Sequence, residues 1–157
     1  MRRAVIVVLF LALLAASVML FATPPTRALE NEPTGHGGLN WGDPMDSDFE
    51  VQQTYQGCPE CPLSDAVRPG EEPTFLGLTF ATLYYSFTEQ GLHAVTFQAP
   101  YSEADFARVA QVLTGAYGPP DFLSSEHLYW GTESSRSMIA LDRLEGTMVL
   151  SLQRNMP

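Results

Sequence analysis

A single amphipathic helix pattern, bounded by a start signal and a stop signal, most constrains the fold of this chain. Ser102 precedes Asp105 by three residues, the spacing of a capping box with Asp in place of the usual Glu. Gly118 and the prolines after it end the helix. The apolar stripe of such a helix must be buried against another element of the fold. The stripe consists of apolar residues spaced by three and four: Phe106, Val109, Ala110, Leu113, Ala116 and Tyr117.

The segments around the helix alternate as antiparallel strands do. Leu83, Tyr85 and Phe87 fall on one face of residues 82–88, and residues 92–99 resume a strand after a turn. The predicted fold is therefore α+β: a two-layer sandwich of an antiparallel sheet of about five strands and one main helix, preceded by an N-terminal hydrophobic helix and an extended arm. Three more strands are predicted over residues 127–131, 136–143 and 147–154.

The N-terminus carries a basic start and a long apolar run. Arg2 and Arg3 precede residues 4–22, which contain no charge. As a helix this run reaches roughly 28 Å, close to the ~30 Å hydrocarbon core of a bilayer. It favours a membrane anchor, and a secretory signal cleaved after Ala22 or Ala28 is the alternative. The predicted location is the bacterial cytoplasmic membrane, single-pass with the C-terminal domain on the periplasmic side, or the periplasm if the leader is cleaved.

Composition divides the chain into three predicted parts. Residues 1–22 are the signal-anchor or signal peptide, residues 23–47 a Pro/Gly-rich linker or arm, and residues 48–157 the exported domain. Leu39 and Trp41 are the apolar anchors of the arm, either on the domain or on a neighbouring protein.

The second face of the predicted 82–99 hairpin is only mildly polar. Tyr84 and Thr96 lie on it, and alternation separates them from the core. This face is either solvated or covered by a partner. Tyr84 and Thr96 therefore join Leu39 and Trp41 as interaction candidates.

The charge balance restricts the partners. Eighteen acidic residues oppose eight basic ones, all of them arginine, which gives a net charge of −10. Such a chain repels nucleic acid and anionic lipid headgroups, so no nucleic-acid partner is predicted. A partner attracted by charge would be basic: a cationic protein surface, a polyamine or a divalent metal.

The two cysteines form a C-x-x-C pair, Cys58 and Cys61. In an oxidising compartment this pair predicts a structural disulfide, while reducible redox thiols and a metal site are the alternatives. Covalent haem is excluded because Pro62 stands where a His is needed. Because the loop is so short, a disulfide here would shape the loop more than stabilise the fold.

No group of residues predicts catalysis. His36, His93 and His127 stand apart without the spacing of a metal site, and the chain has no nucleophile elbow or phosphate-binding glycine loop. No catalytic, cofactor-binding or metal residue is therefore assigned, and no cofactor is expected.

A series of short motifs combines turn glycines with core aromatics: Trp41-Gly42-Asp43-Pro44, Tyr85-x-Phe87, Gly91-Leu92-x-x-Val95, Phe106, Leu113, Tyr117-Gly118-x-Pro120, Tyr129-Trp130-Gly131 and Ile139-x-Leu141. Together these motifs resemble a family of uncharacterised bacterial periplasmic domains that carry a WG-x-P segment before the sheet. More loosely, the predicted shape is similar to small outer-membrane-assembly lipoproteins, whose anchoring cysteine is missing here. The resemblance spans about residues 41–152 and implies a fold rather than an activity.

These observations predict a non-catalytic, membrane-anchored accessory subunit. Its exported domain would stabilise or dock onto a larger membrane protein complex, for example a respiratory or photosynthetic one. Its expected partners are the protein subunits of that complex and the membrane, through residues 4–22. The alternative is a cleaved, soluble periplasmic protein- or ligand-binding module. A second alternative is a thiol-disulfide redox protein that uses Cys58 and Cys61.

Overall fold

The computed structural model describes residues 29, 31–58, 61–132 and 135–155, which form a mostly β protein. The strands are β1 (Gly35–His36), β2 (Leu39–Asn40), β3 (Glu50–Cys58), β4 (Cys61–Val67), β5 (Thr74–Phe75), β6 (Leu78–Thr79), β7 (Thr82–Thr88), β8 (Gly91–Pro100), β9 (Phe122–Leu123), β10 (His127–Trp130), β11 (Ser137–Leu144) and β12 (Thr147–Arg154). Eight of them build one fully antiparallel sheet in the order β3-β4-β7-β8-β12-β11-β10-β9, and two small hairpins, β1-β2 and β5-β6, stand outside it.

The predicted sandwich of about five strands and one main helix is wrong. The sheet has eight strands, and among the described residues a single helix, α1 (Glu103–Tyr117), accompanies it. The missing strands are β3, β4 and β9. Every described side chain of β3 is exposed and β4 buries only Ala66, so neither shows the apolar alternation that marks a half-buried strand. The two residues of β9 are exposed as well.

Helix α1 begins and ends as its sequence signals predict. Ser102 is the N-cap, and its side-chain oxygen accepts a hydrogen bond from the Asp105 backbone N–H at 3.0 Å. At the other end, the Gly118 N–H donates to the Thr114 carbonyl at 3.0 Å. The buried stripe of the helix joins the same hydrophobic cluster as the inner residues of the sheet. It consists of Phe106, Val109, Leu113 and Tyr117.

The strand register divides the sheet into two faces. Tyr85 pairs with Val95, and Leu150 pairs with Phe97, so their side chains lie on one side and are fully buried with the helix stripe. We call the other side, which Tyr84 and Thr96 share, the open face. Burying one large apolar side chain on the helix side stabilises the fold by about 1.5–3 kcal/mol.

The segment before β3 packs against the sheet. Trp41 Nε1 donates to the Pro33 carbonyl at 2.7 Å, and the Gly42 N–H donates to the Leu92 carbonyl at 3.0 Å. Leu92 returns a backbone hydrogen bond to Asp43 at 2.8 Å. This segment therefore extends the backbone pairing at the start of β8.

No helix among the described residues is long and apolar enough to cross a membrane. The hydrophobic leader, residues 4–22, lies outside the described residues, so the anchor and its alternative, the cleaved signal, stay predictions. The boundaries after residues 22 and 47 also stay predictions.

Arg68 links the N-terminal segment to the sheet. Its Nη1 donates to the Gly37 carbonyl at 2.8 Å, and its guanidinium lies 4.5 Å from the centroid of the Phe49 ring. The same Nη1 lies 3.8 Å from Glu71 Oε2, while Glu71 Oε1 accepts a hydrogen bond from the Tyr85 hydroxyl at 2.6 Å. Burial and this hydrogen bond raise the pKa of Tyr85, so the phenol stays protonated and donates.

His36 makes the stability of this region depend on pH. Its ring packs edge-on against Phe97, with ring centroids 5.0 Å apart. Burial lowers the pKa of His36 below 6.5; Glu71 opposes that shift and Arg68 adds to it. The unfolded state therefore takes up the proton first, so stability is full above pH 6.5 and falls as the pH drops below it.

We expect His36→Phe to make the pH dependence of the melting temperature between pH 7.5 and 5 shallower. Burial also lowers the pKa of His93, and this residue contributes to the pH dependence of stability in both proteins. Melting curves of the full chain in detergent, recorded by tryptophan fluorescence, would check this. Equal pH dependence in the two proteins would contradict it.

Candidate functional site

The open face carries a groove of about 380 Å³. Two parts of the chain that lie far apart in sequence form its walls. The hairpin β7-β8 contributes Tyr84, Ser86, Thr96 and Gln98. The hairpin β3-β4 contributes Gln52, Gln53, Tyr55 and Asp65.

Strand pairing holds the two walls together. Tyr84 pairs with Thr96 across β7 and β8, and Asp65 pairs with Ser86 across β4 and β7. Residues paired across neighbouring strands present their side chains on the same face. The groove is therefore built on sheet backbone rather than on loops.

Among the described residues, Asp65 is the only charged one that lines the groove. Its Oδ1 accepts a hydrogen bond from the Ser86 hydroxyl at 2.6 Å and a longer one from the Tyr55 hydroxyl at 3.5 Å. Its Oδ2 accepts from Gln53 Nε2 at 3.1 Å. Burial and the nearby Asp65 carboxylate raise the pKa of Tyr55, so that hydroxyl stays protonated. Three neutral donors thus orient the carboxylate in the groove.

No arginine lines the groove, and Asp65 makes no ion pair within the described residues. Two arginines near the sheet stack on aromatic rings instead. Arg68 lies over Phe49, and the Arg143 guanidinium lies 4.4 Å from the centroid of the Tyr101 ring. As far as the structure describes the chain, the lining of the groove therefore carries one negative charge and no positive charge.

The structure places Tyr84 and Thr96, two of the four predicted interaction candidates, in this groove. It places the other two elsewhere. Leu39 and Trp41 are partly buried against the hydrophobic cluster on the helix side of the sheet. The four residues do not form one site.

The cysteine pair lies at the end of the β3-β4 hairpin, where the backbones of Cys58 and Cys61 pair. The prediction that both residues lie in a loop is wrong, because their backbones belong to strands β3 and β4. Their side chains lie outside the part that the structure describes, so the disulfide and its redox and metal alternatives stay predictions.

One whole wall of the groove is absent from the predicted interaction candidates. Gln53, Tyr55 and Asp65 all precede the predicted strands, the first of which begins at residue 82. The spacing of Gln53 and Tyr55 by two residues is the signal for one strand face. It could not show that this face turns toward Tyr84 and Thr96.

A second polar group lies farther along the open face, on β10 and β11. His127 Nδ1 lies 2.8 Å from Asp142 Oδ1, and the Tyr129 hydroxyl donates to the same oxygen at 3.3 Å. Ser124 contacts the backbone of His127 rather than its ring, so these residues do not form a Ser-His-Asp triad. Within the described ranges, no three His, Cys, Asp or Glu residues come close enough to hold a metal ion.

Part of the groove lies in a segment of the chain that matches a known protein family. Residues 74–151 match the TP0088 domain. This family is uncharacterised, and the matched segment is slightly less than half of the chain. No curated protein and no solved structure shows significant similarity to the chain.

The TP0088 segment contains the β7-β8 wall of the groove and ends within β12. The other wall, with Asp65 and Tyr55, lies outside the match. The match supports an uncharacterised domain and names no activity.

Proposed function

We propose that this protein is a non-catalytic, membrane-anchored accessory subunit whose exported domain docks onto a larger membrane protein complex through the open face of its sheet. The observation that carries the proposal is the groove: eight polar or aromatic side chains, held by strand pairing, line a concave surface. Tyrosine and side-chain amides at such a surface are suited to contact another protein.

Two features of the sequence support the membrane and export parts of the proposal. The basic start and apolar run of residues 4–22 fit an anchor that leaves the domain on the periplasmic side. The resemblance to periplasmic domains with a WG-x-P segment, here Trp41-Gly42-Asp43-Pro44, agrees with that location.

A cleaved, soluble periplasmic ligand-binding module is the second candidate. The observation that favours it is the size of the groove, about 380 Å³, which falls in the range of small-molecule sites. The two candidates differ in whether the leader remains on the protein and in what occupies the groove.

Site-directed photo-crosslinking in the organism that makes the protein tests the proposal. A photo-reactive residue at Gln98 or at Gln52, which lie on opposite walls of the groove, should give the same protein adduct in the membrane fraction. The control position is Gln111 on the exposed side of α1, which should give none. The mass of the intact chain in that fraction should include the leader.

Three results would contradict the proposal. Adducts from Gln111 but from neither wall of the groove would move the docking surface to the helix. Adducts only from Leu123, a 69% exposed residue on the edge strand β9, would move it to that edge. A soluble chain that lacks residues 1–22 or 1–28 and gives no adduct would support the ligand-binding module.

A further inference from the structure

The groove on the open face has the chemistry of a site for an organic cation. Asp65 is the only charged residue in the described part of its lining, and neutral donors hold both oxygens of the carboxylate. Neutral hydrogen bonds orient a carboxylate without cancelling its charge. The rest of the protein adds to the negative electrostatic potential around Asp65, because the chain carries a net charge of −10.

Two tyrosines add a second, independent element to this site. Tyr55 and Tyr84 both line the groove, and Tyr55 is 43% exposed. The face of an aromatic ring attracts a cation, and an arginine side chain also stacks on it. Glutamine side chains at the groove, Gln53 and Gln98 among them, supply amide oxygens that accept hydrogen bonds from a guanidinium or ammonium group.

We propose that the groove binds the cationic side chain of an arginine or lysine on the docked protein, with Asp65 as its counter-ion. This inference rests on the proposed function and adds the chemistry of the partner surface. An acidic domain without lysine favours a basic partner. Within the groove, the carboxylate of Asp65 is the group that a basic side chain would contact.

The test is an NMR titration of the full chain in detergent micelles with three peptides. Each is a nonapeptide of glycine and serine with arginine, citrulline or glutamate at its centre. Citrulline has nearly the shape of arginine without its charge. The signals to follow are the side-chain amides of Gln53 and Gln98, on the two walls of the groove.

At low salt we expect the arginine peptide to shift these signals with a Kd at least about tenfold lower than that of the citrulline peptide. The glutamate peptide should shift the signal of neither glutamine. Raising the salt concentration should reduce the difference. Asp65→Asn should remove the preference for arginine. Asp142→Asn, the matched control on the same face outside the groove, should retain it. Melting curves of both variants establish that they are folded.

Equal binding of the arginine and citrulline peptides would overturn the proposal, as would no binding of any peptide or a preference for arginine that survives Asp65→Asn. Photo-crosslinking from Gln98 separates this failure from that of the proposed function. An unchanged adduct in Asp65→Asn would overturn the cation site and leave docking on the open face intact. Absence of the adduct in the wild-type chain would overturn the docking itself.

Discussion

Replacing Gly91 with alanine is expected to destabilise the protein by about 3–5 kcal/mol or to prevent folding. Gly91 has a φ of +91°, and a Cβ built there would lie 2.2 Å from the carbonyl oxygen of Gly42 and 2.7 Å from that of Asp43. The Asp43 carbonyl accepts a hydrogen bond from the Leu92 N–H, and Gly42 pairs with β8 through its own N–H, which donates to the Leu92 carbonyl. The clash can therefore be relieved only by breaking the pairing of the N-terminal segment with the sheet.

Gly146→Ala is the matched control for Gly91→Ala. Gly146 also lies in a hairpin turn with a positive φ, +84°, but a Cβ there would have no atom within 4 Å. We expect this variant to lose only about 1 kcal/mol, because the backbone is strained and nothing is overpacked. Thermal melting of the full chain in detergent measures both losses. Equal losses would show that the close approach of the Gly42 carbonyl to Gly91 adds nothing to the destabilisation.

Trp130→Ala is expected to cost about 3–5 kcal/mol of unfolding free energy. The Trp130 side chain is fully buried on the helix side of the sheet. Its Nε1 donates to the Gly118 carbonyl at 2.9 Å, so this residue also joins the end of α1 to β10. Alanine would leave a large cavity and an unpaired carbonyl at the end of the helix.

Two further variants separate the parts of this effect. Trp130→Phe keeps most of the apolar volume and loses the hydrogen bond, so about 1–3 kcal/mol is expected. Phe122→Ala, on the edge strand β9 where the side chain is 54% exposed, should cost less than about 1 kcal/mol. The same melting assay compares the three variants. A loss for Trp130→Ala no larger than that for Phe122→Ala would contradict the position of Trp130 in the core.

The helix and the central strands could be predicted because each has a buried and an exposed side. Strands β7 and β12 occupy the predicted residues, and α1 begins and ends at the predicted caps. Strands β3 and β4 could not be predicted in the same way. The described side chains of β3 are exposed and those of β4 are mostly half-buried, so hydrophobic periodicity gives no signal. Only the pairing of β3 with β4, and of β4 with β7, makes them part of the sheet.

Half of the groove could be predicted and half could not. Tyr84 and Thr96 were found because alternation in a hairpin separates the two faces of the strands. Asp65 lies twenty-one residues before Ser86, to which it is hydrogen-bonded. Such a contact depends on which strand pairs with β4, and local spacing carries no information about that choice.

By itself the sequence determined the acidic charge, the capped helix, the strands with a buried face and the mildly polar second face of the β7-β8 hairpin, because each depends on residues near one another in the chain. The tertiary structure alone decided the eight-stranded sheet, the packing of Leu39 and Trp41 on the helix side and the meeting of Asp65 with Tyr84 in one groove. These depend on long-range pairing between strands. The charge of Asp65 acquires its proposed role only where that pairing places it in one groove with two tyrosines.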